Sequence, residues 1–487
     1  MIDIKIDPVI GPHLIETITS ALYEDPIIIF REYVQNSVDA YNMAVDDDRS
    51  NVMDDFHVDI SIDKKKRNIS ILDNGYGILY AEFITKMTSI GASTKPKYKN
   101  LIGFRGIGRL SAMPSCKRLV FTNKPKGSGK LQYYSWNGDK FHDFLNQGKE
   151  PDFKATIEAI TNYREEQYSG DANDHYFKVD IIGYKEVISE LIDDTDFEER
   201  LRILLPLNYS PEFKHQDEIK TKYEEYMGQS LERFSFVVKL DNKILYKPYA
   251  DKDILESGVV YWELKINSKK KEGLGERIGI LWFSFNRKIE RKKDEPYGIY
   301  VRSKNMLMGD RYSLATAIVR SKSDYVTTPR ELSQMLNGVT GEMLIHSTRL
   351  NDNARRDWFQ VDEESILLRH IIVDFMKRLH VYRYTASRFY RNRKDKDKYV
   401  KAYTDLTNFD SEKVISTINS IQNEITADKE DQEVLEYANE DIPSYPITLK
   451  RFYERMINCI HLYYKSKGKL EEFIKLKAFI KKDLNKE

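Results

Sequence analysis

The sequence predicts an α+β protein in three parts, and three observations carry that prediction. Apolar residues at helical spacing run from Leu14 through Met43 and give way to short strand-like runs. A second strand-like series occupies about 230–360 around a helical pattern at Leu314–Val319. From about Ser365 onward the pattern is helical. We therefore expect domains at 1–190, 191–362 and 363–487, in keeping with a chain of 487 residues.

Composition narrows the function classes. With 41% hydrophobic and 32% charged residues the chain is globular but polar. Lys+Arg and Asp+Glu both number 77, so the net charge carries no footprint of a nucleic-acid or membrane partner. Cys116 and Cys459 stand alone, without the spacing of a disulfide framework or a zinc site. No apolar run is long enough to span a bilayer and no leader pattern opens the chain, so a soluble, cytoplasmic protein is expected.

The first part begins with two helices, about 12–24 and 26–43, the second opened by Pro26. Within it, REYVQNSVDA places Glu32, Asn36 and Asp39 at i, i+4 and i+7, within roughly 60° of one another on one face. Such spacing describes a polar stripe on a surface helix as well as a row of ligands. VDISIDKKKRNISILDNGYGI then reads as two strands with a basic turn. Asp73 emerges at the second strand's end, before Gly75 and Gly77, where backbone can approach a ligand and a buried carboxylate can accept from an exocyclic amine. A plain turn has the same composition. In SIGASTKPKYKNLIGFRGIGRLSA, Gly103, Gly106 and Gly108 form a loop expected to enter a helix whose free N–H groups suit phosphate. KGSGK, Lys126–Lys130, lacks the residues of a P-loop and is expected to be a surface turn.

In order, REYVQNSVDA, DNGYG and GFRGIGRLSA resemble the three nucleotide motifs of the GHKL ATPases, the superfamily of gyrase, the ninety-kilodalton heat-shock chaperones, histidine kinases and mismatch-repair clamps. LIETITSALYEDPIIIFREYVQNSVDA and MTSIGASTKPK resemble the heat-shock chaperones most. A first motif at residue 32 leaves no room for a phosphoacceptor helix and points away from the kinases. The resemblance implies a GHKL (Bergerat) α/β sandwich, an S5-like middle domain and slow hydrolysis of Mg²⁺-ATP. It makes Glu32 the general base, Asn36 the Mg²⁺ ligand and Asp39 a supporting group. Asp73 becomes the reader of the adenine amine, with Gly77 beneath the base and Gly75 among the cofactor-binding residues. Ser93, Thr94, Lys95, Gly103, Gly106, Ile107 and Gly108 fall in the segment that closes over the phosphates. One departure stands out: family members carry a Gly-Thr pair on the last strand of this domain, whereas HYFKVDIIGY has no Thr.

Further along, RLNDNARRDWF resembles the chaperone middle-domain loop that sends an Arg to the γ-phosphate. Asn353 and Arg356 match, Asp357 replaces a Glu and Arg355 takes a Ser position; a surface Arg pair would look the same. These motifs imply an ATP-driven clamp acting on a protein client or partner subunit, as a nucleotide-dependent homodimer. The alternatives are a nucleic-acid-associated clamp of the mismatch-repair or microrchidia kind in a bacterial repair or defence module, and a nucleotide-sensing scaffold. KRLHVYRYTASRFYRNRK mixes basic and aromatic residues as nucleic-acid grooves do, but equally as helices whose Arg stems cover apolar surface. Nucleic acid is the less favoured partner. Helical stripes at Val414–Ile425 and Leu449–Ile460 suit a core or an oligomer seam.

Overall fold

The computed structural model describes residues 25–46, 55–89, 108–146, 153–254, 258–266, 276–285, 298–310, 313–314, 336, 338–353, 356–392 and 396–407. The chain divides into two compact units, Met1–Met376 and Lys377–Glu487.

Helix α1 (Ile28–Asp46) starts two residues later than the sequence suggests, because Asp25 and Pro26 form the turn that feeds it. The Asp25 carboxylate accepts from the Ile27 N–H at 3.1 Å. The basic segment is the turn between β1 (His57–Asp63) and β2 (Asn68–Asp73), with Arg67 in the left-handed region at φ 55°. A short helix α2 (Phe83–Thr88) follows. Gly108–Leu110 is a single 3₁₀ turn rather than the start of an α-helix, and Pro114 opens a second 3₁₀ turn before the chain extends. Then come β3 (Cys116–Lys124), β4 (Lys130–Asn137), α3 (Gly138–Asn146), α4 (Phe153–Ile160), β5 (Thr161–Gln167) and β6 (Tyr176–Tyr184). KGSGK lies in the β3–β4 turn, as expected. Helices α5 (Glu186–Asp193), α6 (Phe197–Leu204) and α7 (Gln216–Met227) lead to β7 (Val237–Leu240) and β8 (Lys243–Leu245), joined by left-handed Asp241 and Asn242.

These eight strands form one sheet, in the order β5-β4-β3-β6-β2-β1-β7-β8. Strand β7 pairs parallel with β1, so the first sheet draws its last two strands from beyond residue 190. Along β2 the period-two alternation buries Ile69, Ile71 and Asp73 on one face. The residues that face α1 therefore end in a carboxylate where the pattern calls for another hydrophobe.

The second sheet runs β12-β11-β13-β10-β9, from β9 (Val260–Ile266), β10 (Glu276–Phe285), β11 (Gly298–Ser303), β12 (Met306–Leu307) and β13 (Val339–Ile345). Tyr209, Phe213, Ile219, Tyr223 and Leu231 pack on Ile280, Trp282 and Leu344 to form its core. Tyr300, Met306 and Leu307 instead join the core of the first sheet. A fully buried charge cluster sits at this junction. Glu342 pairs with Arg302 and with Lys247 at 2.9 Å, and accepts from the Tyr209 hydroxyl at 2.5 Å. Arg302 also donates to the carbonyls of Ile203, Leu205 and Asn305. Burial would raise the Glu342 carboxyl, but Lys247 and Arg302 outweigh it and hold it at about 2.

Helix α8 (Glu363–Asn392) precedes α9 (Lys396–Thr407). In the second unit Tyr382 packs against Tyr399 and Tyr403 at 5.7 and 5.4 Å. Arg378 donates to the Asp405 carbonyl at 2.9 Å. This much of the basic-aromatic segment serves packing between helices. The stripes at 414–425 and 449–460 and most of the 314–319 pattern lie outside the described residues.

Candidate nucleotide site

Helix α1 is buried on nearly every side, which removes the surface-stripe reading of its polar residues. Glu32 and Asp39 are buried and Asn36 is half-buried. The helix meets the end of β2 through Ser37, whose hydroxyl donates to Asp73 Oδ2 at 2.7 Å. The Gly75 N–H donates to Asp73 Oδ1 at 3.0 Å, closing an Asx turn. Burial pushes the Asp73 carboxyl up to about 6, against Ser37, the Gly75 and Phe177 backbones and His57, which pull it down. Directly across the ladder from Asp73 stands Phe177, and across from Phe177 stands Asn123. Opposed residues share a face, so carboxylate, ring and amide form a row. Asn123 is locked by two bonds to the Ile78 backbone, both at 2.8 Å. Gly77, at φ 68°, crosses above it where an added Cβ would lie 2.7 Å from Asn123 Oδ1.

The other end of α1 gathers charge. Glu32 Oε1 lies 3.3 Å from Arg31 Nη2 and 3.4 Å from Arg356 Nη1. Arg356 comes from a loop 324 residues away and is buried, with its backbone at φ 55°. That loop is braced locally: Asn353 and Asp357 bond each other, and Asn353 N–H donates to the Trp358 carbonyl at 2.9 Å. Gly108 comes so close that an added Cβ would lie 2.0 Å from Glu32 Oε2. Carboxylate, guanidinium and side-chain-free backbone therefore converge on one point.

Residues 27–166 match the family described as histidine kinase-, DNA gyrase B-, and HSP90-like ATPase. The N-terminal region is a GHKL-type ATPase domain. Among similar proteins, Chaperone protein HtpG of Fusobacterium nucleatum is 25% identical over 200 residues, 32% of each chain. That of Clostridium botulinum strain Langeland is 22% identical over 294 residues, 57% of this chain and 41% of the relative. That of Roseobacter denitrificans is 27% identical over 148 residues, 27% and 23%. The chain thus spans less than half the length of these relatives.

In this GHKL-type domain the donor set suits a nucleotide. Asp73 keeps acceptor capacity beyond its bonds to Ser37 and Gly75, and Gly77 and Gly108 bring bare backbone against Asn123 and Glu32, closer than any side chain would allow. Among the described residues no group of three or more His, Cys, Asp or Glu could hold a metal. One amide oxygen, from Asn36, together with phosphate and water oxygens is the kind of set Mg²⁺ accepts. Asp39 faces the Lys304 ammonium, which burial lowers while Asp352 and Asp39 pull it up. Ser93, Thr94, Lys95, Gly103, Gly106 and Ile107 lie outside the described residues.

Sequence reasoning missed Ser37, Phe177, Asn123 and Arg31. Of these, Ser37 had a signal: it follows Asn36 on a helix packed against the strand that ends in Asp73. No helix among the described residues is long and apolar enough to cross a membrane.

Proposed function

We propose that this chain binds and hydrolyses Mg²⁺-ATP in an HSP90-like way, and that turnover drives a conformational clamp acting on a protein client. One observation carries the reading: Arg356, from the far end of the same unit, is seated against Glu32 in the α1–Gly108 corner. A buried carboxylate with a guanidinium at its side suits in-line attack of water on a terminal phosphoryl group.

In this mechanism Asp73 accepts a hydrogen bond from the adenine amine, while Gly77 lets the backbone pass close to the base. Phe177 supplies an apolar wall where relatives of this fold place a hydroxyl. Glu32 orients the attacking water and takes its proton. Arg356 donates to the γ-phosphoryl oxygens as charge develops on them. Asn36 would hold Mg²⁺, which supplies charge neutralisation on the phosphates. Asp39, beside Lys304, keeps the second sheet's β11–β12 turn in register with α1.

The similarity to proteins named Chaperone protein HtpG supports a chaperone-like output; a cytoplasmic setting and a nucleotide-dependent homodimer are further parts of the same proposal. Measuring Mg²⁺-dependent ATP hydrolysis for the wild type, Glu32→Ala and Arg356→Ala tests it. Turnover lost in both variants, with nucleotide still bound, is the expected result. Wild-type protein that binds no adenine nucleotide would overturn it.

A further inference from the structure

We propose that Arg109 is a positioning residue that holds the Gly108 backbone against the Glu32 carboxylate. The inference rests on the ATPase reading above.

Arg109 is tied on both sides of its backbone. Its guanidinium donates to the Lys86 carbonyl at 2.6 Å and to the Ser89 carbonyl, at the end of α2 where helix carbonyls have lost their own partners. Its own carbonyl accepts from the Tyr33 hydroxyl at 2.9 Å. Tyr33 is the residue after Glu32 on α1. The same hydroxyl lies 3.4 Å from the Ala112 N–H, so it fixes both ends of the turn that Gly108 opens. Arg109 thus joins three elements that are separate in sequence: its side chain ties the 3₁₀ turn to the end of α2, and its carbonyl ties the turn to the base-bearing helix.

Two features mark this as more than filling. Among the described residues the guanidinium meets only carbonyls and no carboxylate, and its Nε is buried without a partner. Burial lowers it to about 10, so it stays charged at neutral pH. A half-buried cation held only by carbonyls is a costly way to fasten a turn. The neighbouring backbone is where tolerance is smallest, since Gly108 has no room for even a methyl group beside Glu32. A shift of the turn would move that wall of the corner while leaving the Asp73 end, across α1, in place.

The test compares wild type, Arg109→Met, Arg109→Lys and Tyr33→Phe as full chains. For Arg109→Met we expect kcat to fall at least about tenfold, as small misplacements near the reacting atoms do, with ADP affinity within about threefold of wild type. Arg109→Lys, which can still reach one carbonyl, should recover part of kcat, and Tyr33→Phe should lower it less. Amide hydrogen exchange should rise at 84–89 and 108–112 in Arg109→Met while β2 and β6 stay protected. A kcat within about twofold of wild type would overturn the proposal, as would parallel loss of kcat and ADP binding, which is what general destabilisation produces. A wild type without turnover would sink the ATPase reading instead. In that case unchanged exchange at 84–89 would still refute the Arg109 clamp.

Discussion

Among the described residues of the first unit, two buried charge clusters are built on opposite principles. Around Glu342 the charges close on themselves: Arg302, Lys247 and Tyr209 converge on one carboxylate, and Arg302 spends its remaining donors on three carbonyls. Around α1 the groups are held where the fold alone would not put them. Asp73 is buried with its carboxyl pushed up to about 6, and Arg356 adopts a backbone that favours glycine. The first arrangement fixes the joint between the two sheets. On the proposed reading the second keeps acceptors and donors in place for a nucleotide, as a site retained for function against stability does.

The sharpest way to break the comparison is to remove each carboxylate. Glu342→Ala leaves two buried cations facing each other, and should cost about 3–5 kcal/mol of unfolding free energy. Chemical denaturation reads this directly. Glu32→Gln should lower ATP turnover at least about 100-fold, the range for loss of a general base. It should destabilise the fold less than Glu342→Gln does. If Glu32→Gln proves the more destabilising of the two, the assignment of one cluster to shape and the other to chemistry fails.

Asp73 sharpens the contrast through pH. Its folded pKa lies above the ordinary value of 3.8, so ionising it works against the fold. Ligand-free stability from this group is greatest below about 4 and declines as pH rises through about 6, by about 3 kcal/mol in all. Nucleotide binding should run the other way, because only the ionised carboxylate accepts fully from the adenine amine. ADP affinity should therefore weaken as pH falls through about 6. In Asp73→Asn that pH dependence should vanish, with weaker binding and a higher melting temperature. A variant that binds as well as wild type would mean that the purine lies elsewhere.

At Arg356 the conflict lies in the backbone. Replacing it with Gly relieves a left-handed residue worth roughly 1 kcal/mol, whereas Ala keeps the strain. Both substitutions should lose turnover, and Arg356→Gly should be the more stable of the two by thermal unfolding. Equal stabilities would show that the loop relaxes and that the strain is not held in place.

Much of this was legible in the sequence because it is local. The row Glu32, Asn36 and Asp39 follows from helical spacing, and the strand-end position of Asp73 follows from the alternation of Ile69 and Ile71. The Asp241-Asn242 turn follows from residues that join two strands through positive φ, whereas the Lys304-Asn305 turn divides what reads in the sequence as one strand-like stretch. What the sequence could not show is whatever depends on which strand lies beside which. The parallel pairing of β7 with β1 joins segments far apart in the chain, so the first sheet runs past residue 190. Arg356 could be suggested by resemblance, but its place beside Glu32 is a property of the fold. The expected helix after Gly108 gave way to 3₁₀ turns, a competition that Pro114 resolves and periodicity does not see.

The missing strand threonine is the finest test of the comparison. The position opposite Asp73 is Phe177, and the hydroxyl that reaches the carboxylate comes from Ser37 on α1. The donor to this carboxylate therefore comes from the helix, and on the proposed reading the base would meet a ring. A hydrogen bond to an ionised group contributes about 1.5–3 kcal/mol, but here it is shared with the Gly75 N–H, and water can partly replace it. Ser37→Ala should accordingly weaken ADP binding by about threefold to tenfold and raise the pH midpoint of binding, since a donor that holds the carboxylate down is lost. Phe177→Thr in the Ser37→Ala background returns a hydroxyl to the same face of the sheet and should recover part of the affinity, at some loss of packing against Phe121, whose ring centroid is 6.2 Å away. Recovery would show that the pocket requires a hydroxyl beside Asp73 and is indifferent to which element brings it. If Ser37→Ala alone leaves both affinity and pH midpoint unchanged, the Ser37 bond belongs with the Glu342 cluster, as a contact that holds shape and takes no part in binding.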